Sequence, residues 1–218
     1  MVLLVPNLMP FKAGRGESGQ REDHEDRAVR RARSRLRQLI LAAKADHLLT
    51  LTYRENVTEY RQACADLTRF NRHVRTHLPD WVYVAVAERQ ERGAWHWHLA
   101  VVGRQDVTLL RSCWRHVVGE GNIDVQQPKR GRSRRLAIVR YLGKYLAKGF
   151  EQGHCELNGH RYRASLNIEV PGEHLTIPDH LRGEVSAYVI GQLRQRSGSV
   201  GFVWVDQQNL AGWACSWE

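Results

Sequence analysis

Two apolar runs, residues 81–88 (WVYVAVAE) and 95–102 (WHWHLAVV), are separated by six residues that include Gly93. No other part of the chain constrains its fold as much. Val, Trp and Tyr dominate both runs, and a short Gly-containing connection between such runs predicts an antiparallel hairpin. The first run is apolar on both faces, so it belongs inside a sheet. The second mixes two chemistries. Period two places Trp95 and Trp97 on one face and His96 and His98 on the other, with the imidazoles about 7 Å apart.

Around this hairpin the patterning alternates between helix and strand. Residues 28–45 form an amphipathic basic helix with Leu36, Ile40 and Leu41 on one side. Residues 47–53 (HLLTLTY) are a β-branched strand, and residues 58–77 are a helix stopped by Pro79. Residues 107–117 are helical, 122–126 a short strand, 129–135 (KRGRSRR) a basic loop, and 135–150 a strongly periodic helix. A strand at 161–168, a helix at 177–195 and a strand at 200–205 complete the reading. The order predicts an α+β fold, an antiparallel sheet crossed by helices in a βαββαβ-like arrangement. Residues 1–26, Gly-, Glu- and Arg-rich over 14–26, are expected to be a flexible arm. Residues 27–170 are expected to form one domain, with 171–218 an extension packed on it.

Composition narrows the partner. Among 218 residues, 33 Lys and Arg face 23 Asp and Glu, a net charge of +10, which favours a polyanion. Cys64, Cys113, Cys155 and Cys215 have no C-x-x-C spacing, so neither a zinc knuckle nor a disulfide framework is expected. No run is long and apolar enough to span a membrane, and residues 1–11 lack the basic start of a signal peptide. A cytoplasmic protein is expected.

His96 and His98 are either a metal pair or two hydrogen-bonded sheet histidines. Glu88 ends the preceding strand, and the hairpin brings its carboxylate beside their face. Two imidazoles and a carboxylate leave positions open for substrate oxygens, as a catalytic metal requires. Mg²⁺ or Mn²⁺ bound there would polarise a phosphodiester.

A second constellation lies at YLGKYLAK. At 100° per residue, Tyr141, Tyr145, Lys144 and Lys148 share an arc of about 100°. Leu136, Val139, Leu142, Leu146 and Phe150 fall between about 100° and 220°, the stripe expected to pack on the sheet. The tyrosines are thus expected off the core face, where a lysine one turn away would favour the phenolate and bind phosphate.

These motifs resemble the HUH endonucleases, in particular the two-tyrosine rolling-circle replication initiators of phages and plasmids. His96-Trp97-His98 matches the metal motif, residues 48–53 (LLTLTY) resemble the first motif, and YLGKYLAK matches the tandem-tyrosine motif. The resemblance covers about residues 46–149. It implies attack by a tyrosine on a scissile phosphate of single-stranded DNA or an origin hairpin, a covalent 5′-phosphotyrosine, and a free 3′-OH extended by a host polymerase. The second tyrosine would cut the new junction and the strand would be rejoined. No Walker A sequence is present, so unwinding is expected from a host helicase. An HUH transposase or relaxase would use the same site. A non-catalytic single-stranded nucleic-acid-binding module, binding through exposed strand aromatics such as Trp95 or Trp114, and an iron oxygenase on the two histidines and a carboxylate are the readings from other classes. Residues 161–165 (RYRAS) are an edge strand with phosphate contacts or an ordinary basic hairpin. His154, Cys155 and His160 fit no standard metal template.

The cations of KRGRSRR, Lys129, Arg130, Arg132, Arg134 and Arg135, are expected to clamp the DNA backbone. Replacing its arginines by serine should weaken DNA binding equally across sequences and flatten its dependence on salt, as measured by fluorescence anisotropy at several ionic strengths. Loss of sequence preference at unchanged non-specific affinity would instead show that the loop reads bases.

Overall fold

Tyrosine, valine and tryptophan on adjacent strands pair as their pattern requires. The computed structural model describes residues 2–4, 21–127, 134–151, 162–171, 184–197, 202–206 and 211–215. The hairpin is β3 (Tyr83–Arg89) and β4 (Trp95–Val101), turned at Gly93, which adopts φ 87°. Glycine bears that conformation without the Cβ penalty. Gln90 N donates to Ala94 O at 2.9 Å to close the turn.

β2 (His47–Tyr53) pairs antiparallel with the other edge of β4, and β5 (Gly121–Gln126) pairs with β2. β6 (Arg163–Ala164) pairs with β3, giving the order β5-β2-β4-β3-β6. The fold is α+β with a five-stranded antiparallel sheet. The strand expected over 161–168 is only the two residues of β6.

Each face of this sheet carries its own core. On one, Trp95, Trp97 and Leu99 of β4 join Leu49, Leu51 and Tyr53 of β2 beneath α2 (Tyr60–His77) and α3 (Val107–Val118). The tryptophans also fix the helix entry: Trp95 Nε1 donates to Thr58 O at 3.0 Å and Trp97 Nε1 to Ala63 O at 3.1 Å. Asp66 is buried here, and Tyr53 donates to it at 3.1 Å while Arg69 pairs with it. Partners of this kind are what make a buried carboxylate tolerable. Trp95 and Trp114 are core residues and are not free to stack on bases.

On the other face, Leu48, Val84, Val86 and Ala100 meet Leu36, Leu39 and Ile40 of α1 (Arg21–Ala42) and Ile138, Val139, Leu142 and Leu146 of α4 (Arg134–Glu151). Arg30, Arg31, Arg33 and Arg35 of α1 stay exposed, so the expected basic face is present. α4 begins at Arg134, which makes Arg134 and Arg135 its first turn and not part of a loop. Lys129, Arg130 and Arg132, the side chain of Phe150, and His154, Cys155 and His160 lie outside the described residues.

The chain divides into two compact units, Gln20–Pro171 and a second made of Met1–Gly19 with Gly172–Glu218. In the second, β1 (Val2–Leu4) pairs with β8 (Ala211–Cys215), which pairs with β7 (Phe202–Asp206). α5 (Val185–Ser197) belongs to the same unit. The expectations differ in two respects. Residues 2–4 are a strand rather than part of a free arm, and residues from 172 onward form a unit with that strand rather than an extension of the first. Long-range pairing between the chain ends leaves no local periodicity to read. No helix among the described residues is long and apolar enough to cross a membrane.

Gly121 marks a tight approach. A Cβ there would lie 2.6 Å from Trp114 Nε1 and 2.9 Å from Thr52 O, two atoms that are joined by a hydrogen bond of 3.1 Å. Gly121→Ala should therefore destabilise the protein by about 1–3 kcal/mol, the usual cost of overpacking, read as a lower urea midpoint at unchanged m-value.

Candidate active site

Register determines which groups share the α1/α4 face. Across the sheet, Glu88 stands opposite His96, which stands opposite Thr52; Val86, His98, Thr50 and Asp124 form the neighbouring row. The row beyond, Val84, Ala100 and Leu48, is apolar. One end of this face is therefore core and the other is polar.

α4 spans both ends. Leu142 and Leu146 are buried in the cluster shared with α1, as the apolar stripe predicts. The tyrosines depart from the expectation, since both are half-buried and turned toward the sheet. The Tyr145 ring stacks on His98 at 4.2 Å and 17°, and the Tyr141 ring meets His98 edge-on at 5.6 Å and 86°. Ile138, at about +60° on the wheel, is fully buried, so the inward arc of the helix includes the tyrosine side. The polar face of the helix points inward because the end of the sheet beneath it is itself polar.

A continuous set of contacts links the two motifs. The Tyr145 hydroxyl donates to the Tyr141 hydroxyl at 3.4 Å. His98 Nε2 lies 2.8 Å from Glu88 Oε2, and Lys148 Nζ donates to Glu88 Oε1 at 2.9 Å. His98 Nδ1 lies 3.2 Å from the Thr50 hydroxyl, which can donate or accept and so suits either tautomer of the ring. Lys144 is exposed, with Nζ 5.9 Å from the Tyr145 ring centroid.

His96 stands apart. It is 7% exposed, and its Nε2 is buried without a hydrogen-bond partner. Donor atoms of Glu88, His96 and His98 do not all come within 4.8 Å of one another. The Glu88–His98 pair is thus formed, and His96 offers an unengaged nitrogen beside it. An orphaned buried nitrogen costs about 1–3 kcal/mol, which a ligand would recover.

Electrostatics sort these groups. Burial first, then the nearby His98, pushes the His96 imidazole down to about 4, so it is neutral at pH 7. For Glu88, burial acts upward, but the hydrogen bonds and charges of His98 and Lys148 outweigh it and hold the carboxyl below its ordinary value. The Tyr141 phenol is raised by burial, by Tyr145, and by the Glu88 and Asp124 carboxylates. That reverses the expectation of a lysine-favoured phenolate, because Lys148 is committed to Glu88 and Lys144 lies outside. Thr50 and Asp124 were not singled out in the sequence. Period two in HLLTLTY carried the signal for Thr50, whereas Asp124 joins only through the β2–β5 register.

Residues 46–150 match the profile of a family of replication-associated proteins, the ORF2 type. The matched segment runs from the residue before β2 to the penultimate residue of α4, so it contains Glu88, His96, His98, Tyr141 and Tyr145. The match supports a replication-initiator kind of protein. No curated protein matches the chain. Among solved structures, the hypothetical protein ORF119 from Sulfolobus islandicus rod-shaped virus 1 aligns at 12% identity over 51% of this chain and 91% of that one, with a TM-score of 0.37.

Removing Lys148 should release Glu88 upward. In Lys148→Met the carboxyl loses a hydrogen bond and a cation that both favour its charged form, so its titration midpoint, followed by side-chain carboxyl NMR, should rise relative to wild type. An unmoved midpoint would show that His98 alone holds it.

Proposed function

We propose that this chain nicks and rejoins single-stranded DNA at a replication origin through a 5′-phosphotyrosine intermediate. The observation that carries this reading is the placement of two tyrosine hydroxyls, 3.4 Å apart, on a helix whose rings pack on His98 of the Glu88–His98 pair.

Glu88, His96 and His98 would hold a divalent cation. The unpartnered His96 Nε2 and the 2.8 Å Glu88–His98 spacing fit such a group. A mixed nitrogen and oxygen donor set suits Mn²⁺ better than Mg²⁺, which prefers oxygens throughout. The bound cation supplies charge neutralisation at the phosphate oxygens.

This chain's own residues do the rest. A tyrosine oxygen forms the new bond to phosphorus as its proton leaves to solvent. The bond from phosphorus to the 3′-oxygen breaks, and that oxygen takes up a proton as a free 3′-OH. The raised Tyr141 pKa keeps this phenol protonated until a phosphate and its counter-charge arrive, which limits unproductive attack. Thr50 holds the His98 ring in place, and stacking by Tyr145 orients it from above. Lys144, exposed beside Tyr145, and Lys148 are the cations nearest the backbone of an incoming strand. Rejoining runs the same transfer backwards from the 3′-OH. Host polymerase and helicase would complete replication.

A labelled single-stranded origin oligonucleotide incubated with Mn²⁺ should give a protein–DNA adduct that survives boiling in detergent. Tyr141→Phe and Tyr145→Phe should each reduce it, the double variant should show none, and His96→Ala or His98→Ala should abolish it while the far-UV spectrum is retained. Persistence of the adduct in the double phenylalanine variant would place the nucleophile elsewhere. Tight binding by wild type without any adduct would instead favour a non-catalytic binding module.

A further inference from the structure

On the face of the sheet away from the tyrosines, α2 and α3 carry a second group of metal-type donors. His73 and His77 are four residues apart on α2, and positions i and i+4 lie on one side of a helix. Cys113 and His116 are three apart on α3 and share a side in the same way. Donor atoms of His73, His77 and Cys113 all lie within 4.8 Å of one another. The His116 ring stacks on His73 at 4.4 Å and 17°, and His73 meets His77 edge-on at 5.3 Å and 88°.

The geometry points to a transition-metal site of the zinc class made by His73, His77 and Cys113, with exposed His116 next to the fourth position. Four ligands on tetrahedral zinc stand about 3.3–3.8 Å apart, given bonds of about 2.0–2.3 Å. A contraction of about 1 Å from the present spacing is needed. The side chains able to supply it are the accessible ones, since His77 and His116 are exposed and His73 is half-exposed, while Cys113 is fixed at 1% exposure. Thiolate and imidazole donors select zinc-like ions over Mg²⁺. Arg72 and Arg115, exposed and adjacent in sequence to His73 and His116, oppose a dication, so the anionic Cys113 thiolate is the donor on which affinity depends most.

The consequence is structural. α2 and α3 meet over the first core cluster, where Phe70, Val74, Leu110 and Trp114 pack together. An ion held by both helices would tie them behind the strands that carry His96 and His98. This site needs no tyrosine or DNA chemistry and stands whether or not the proposed nicking occurs.

Cobalt(II) titration of the untagged, full-length protein separates the two centres, because Glu88, His96 and His98 offer no sulfur. Wild type should develop a thiolate-to-cobalt charge-transfer band with tetrahedral d–d bands at one equivalent, and zinc should displace it. The double variant His96→Ala/His98→Ala should keep the band. Cys113→Ser should lose it, His73→Gln/His77→Gln should lose it while retaining wild-type circular dichroism, and His116→Ala should weaken uptake about 10–100-fold. Zinc should raise Tm in wild type by more than in the His73/His77 variant. If Cys113→Ser does not fold, the histidine double variant alone decides the matter. Absence of the band in wild type, or its persistence in that variant, would overturn the site and leave the cluster as an aromatic contact.

Discussion

The strict alternation of β4 governs both cores and the candidate site. A strand at the centre of an antiparallel sheet is covered on both faces, and here all seven of its residues are buried. Its tryptophans spend their area and their indole N–H groups on α2, and truncating a residue of that kind costs about 3–5 kcal/mol. The histidines, held one residue out of phase, face α4. A slip of one residue would exchange the two sets, so packing of Trp95 and Trp97 is what fixes His96 and His98 in place. Stability on one face sets the geometry of chemistry on the other.

The second determinant is the match between the split face of the sheet and that of α4. An apolar row at Val84, Ala100 and Leu48 gives way within two residues to a row containing Glu88 and His96. The helix above makes the same change, from Leu142 and Leu146 to Tyr141, Tyr145 and Lys148. Aromatic rings suit such a boundary because they bury a large apolar body while keeping a polar tip. Stacking of Tyr145 on His98 combines packing and positioning in one contact. The raised pKa of Tyr141 follows from the same partial burial, aided by the two carboxylates beside it.

The segment matched by the replication-associated profile begins just before β2 and ends in α4, and these are the elements that build this boundary. What lies outside it includes the basic helix α1, whose Leu36, Leu39 and Ile40 close the core beneath α4. The tyrosine helix therefore depends for its seating on a helix beyond the matched region.

Much of this was legible along the chain. Alternation in HLLTLTY and WHWHLAV, the glycine turn at Gly93 and the 3.6-residue period of α2, α3 and α4 each have a local cause, so their elements appear where the sequence places them, to within a few residues. The shared face of His96, His98 and Glu88 follows from period two and a hairpin. Three things had no local cause. Pairing of residues 2–4 with 212–214 joins the ends of the chain, and nothing in either segment names the other. The inward turn of Tyr141 and Tyr145 depends on the polarity of a sheet surface assembled from four strands, which a helical wheel does not contain. The assembly of His73, His77, Cys113 and His116 requires α2 and α3 to lie side by side. Sequence alone determined which residues share a strand or a helix face, because backbone geometry imposes those periods within a single element. Only the tertiary structure decided which faces meet, because that depends on register and packing between elements distant in the chain.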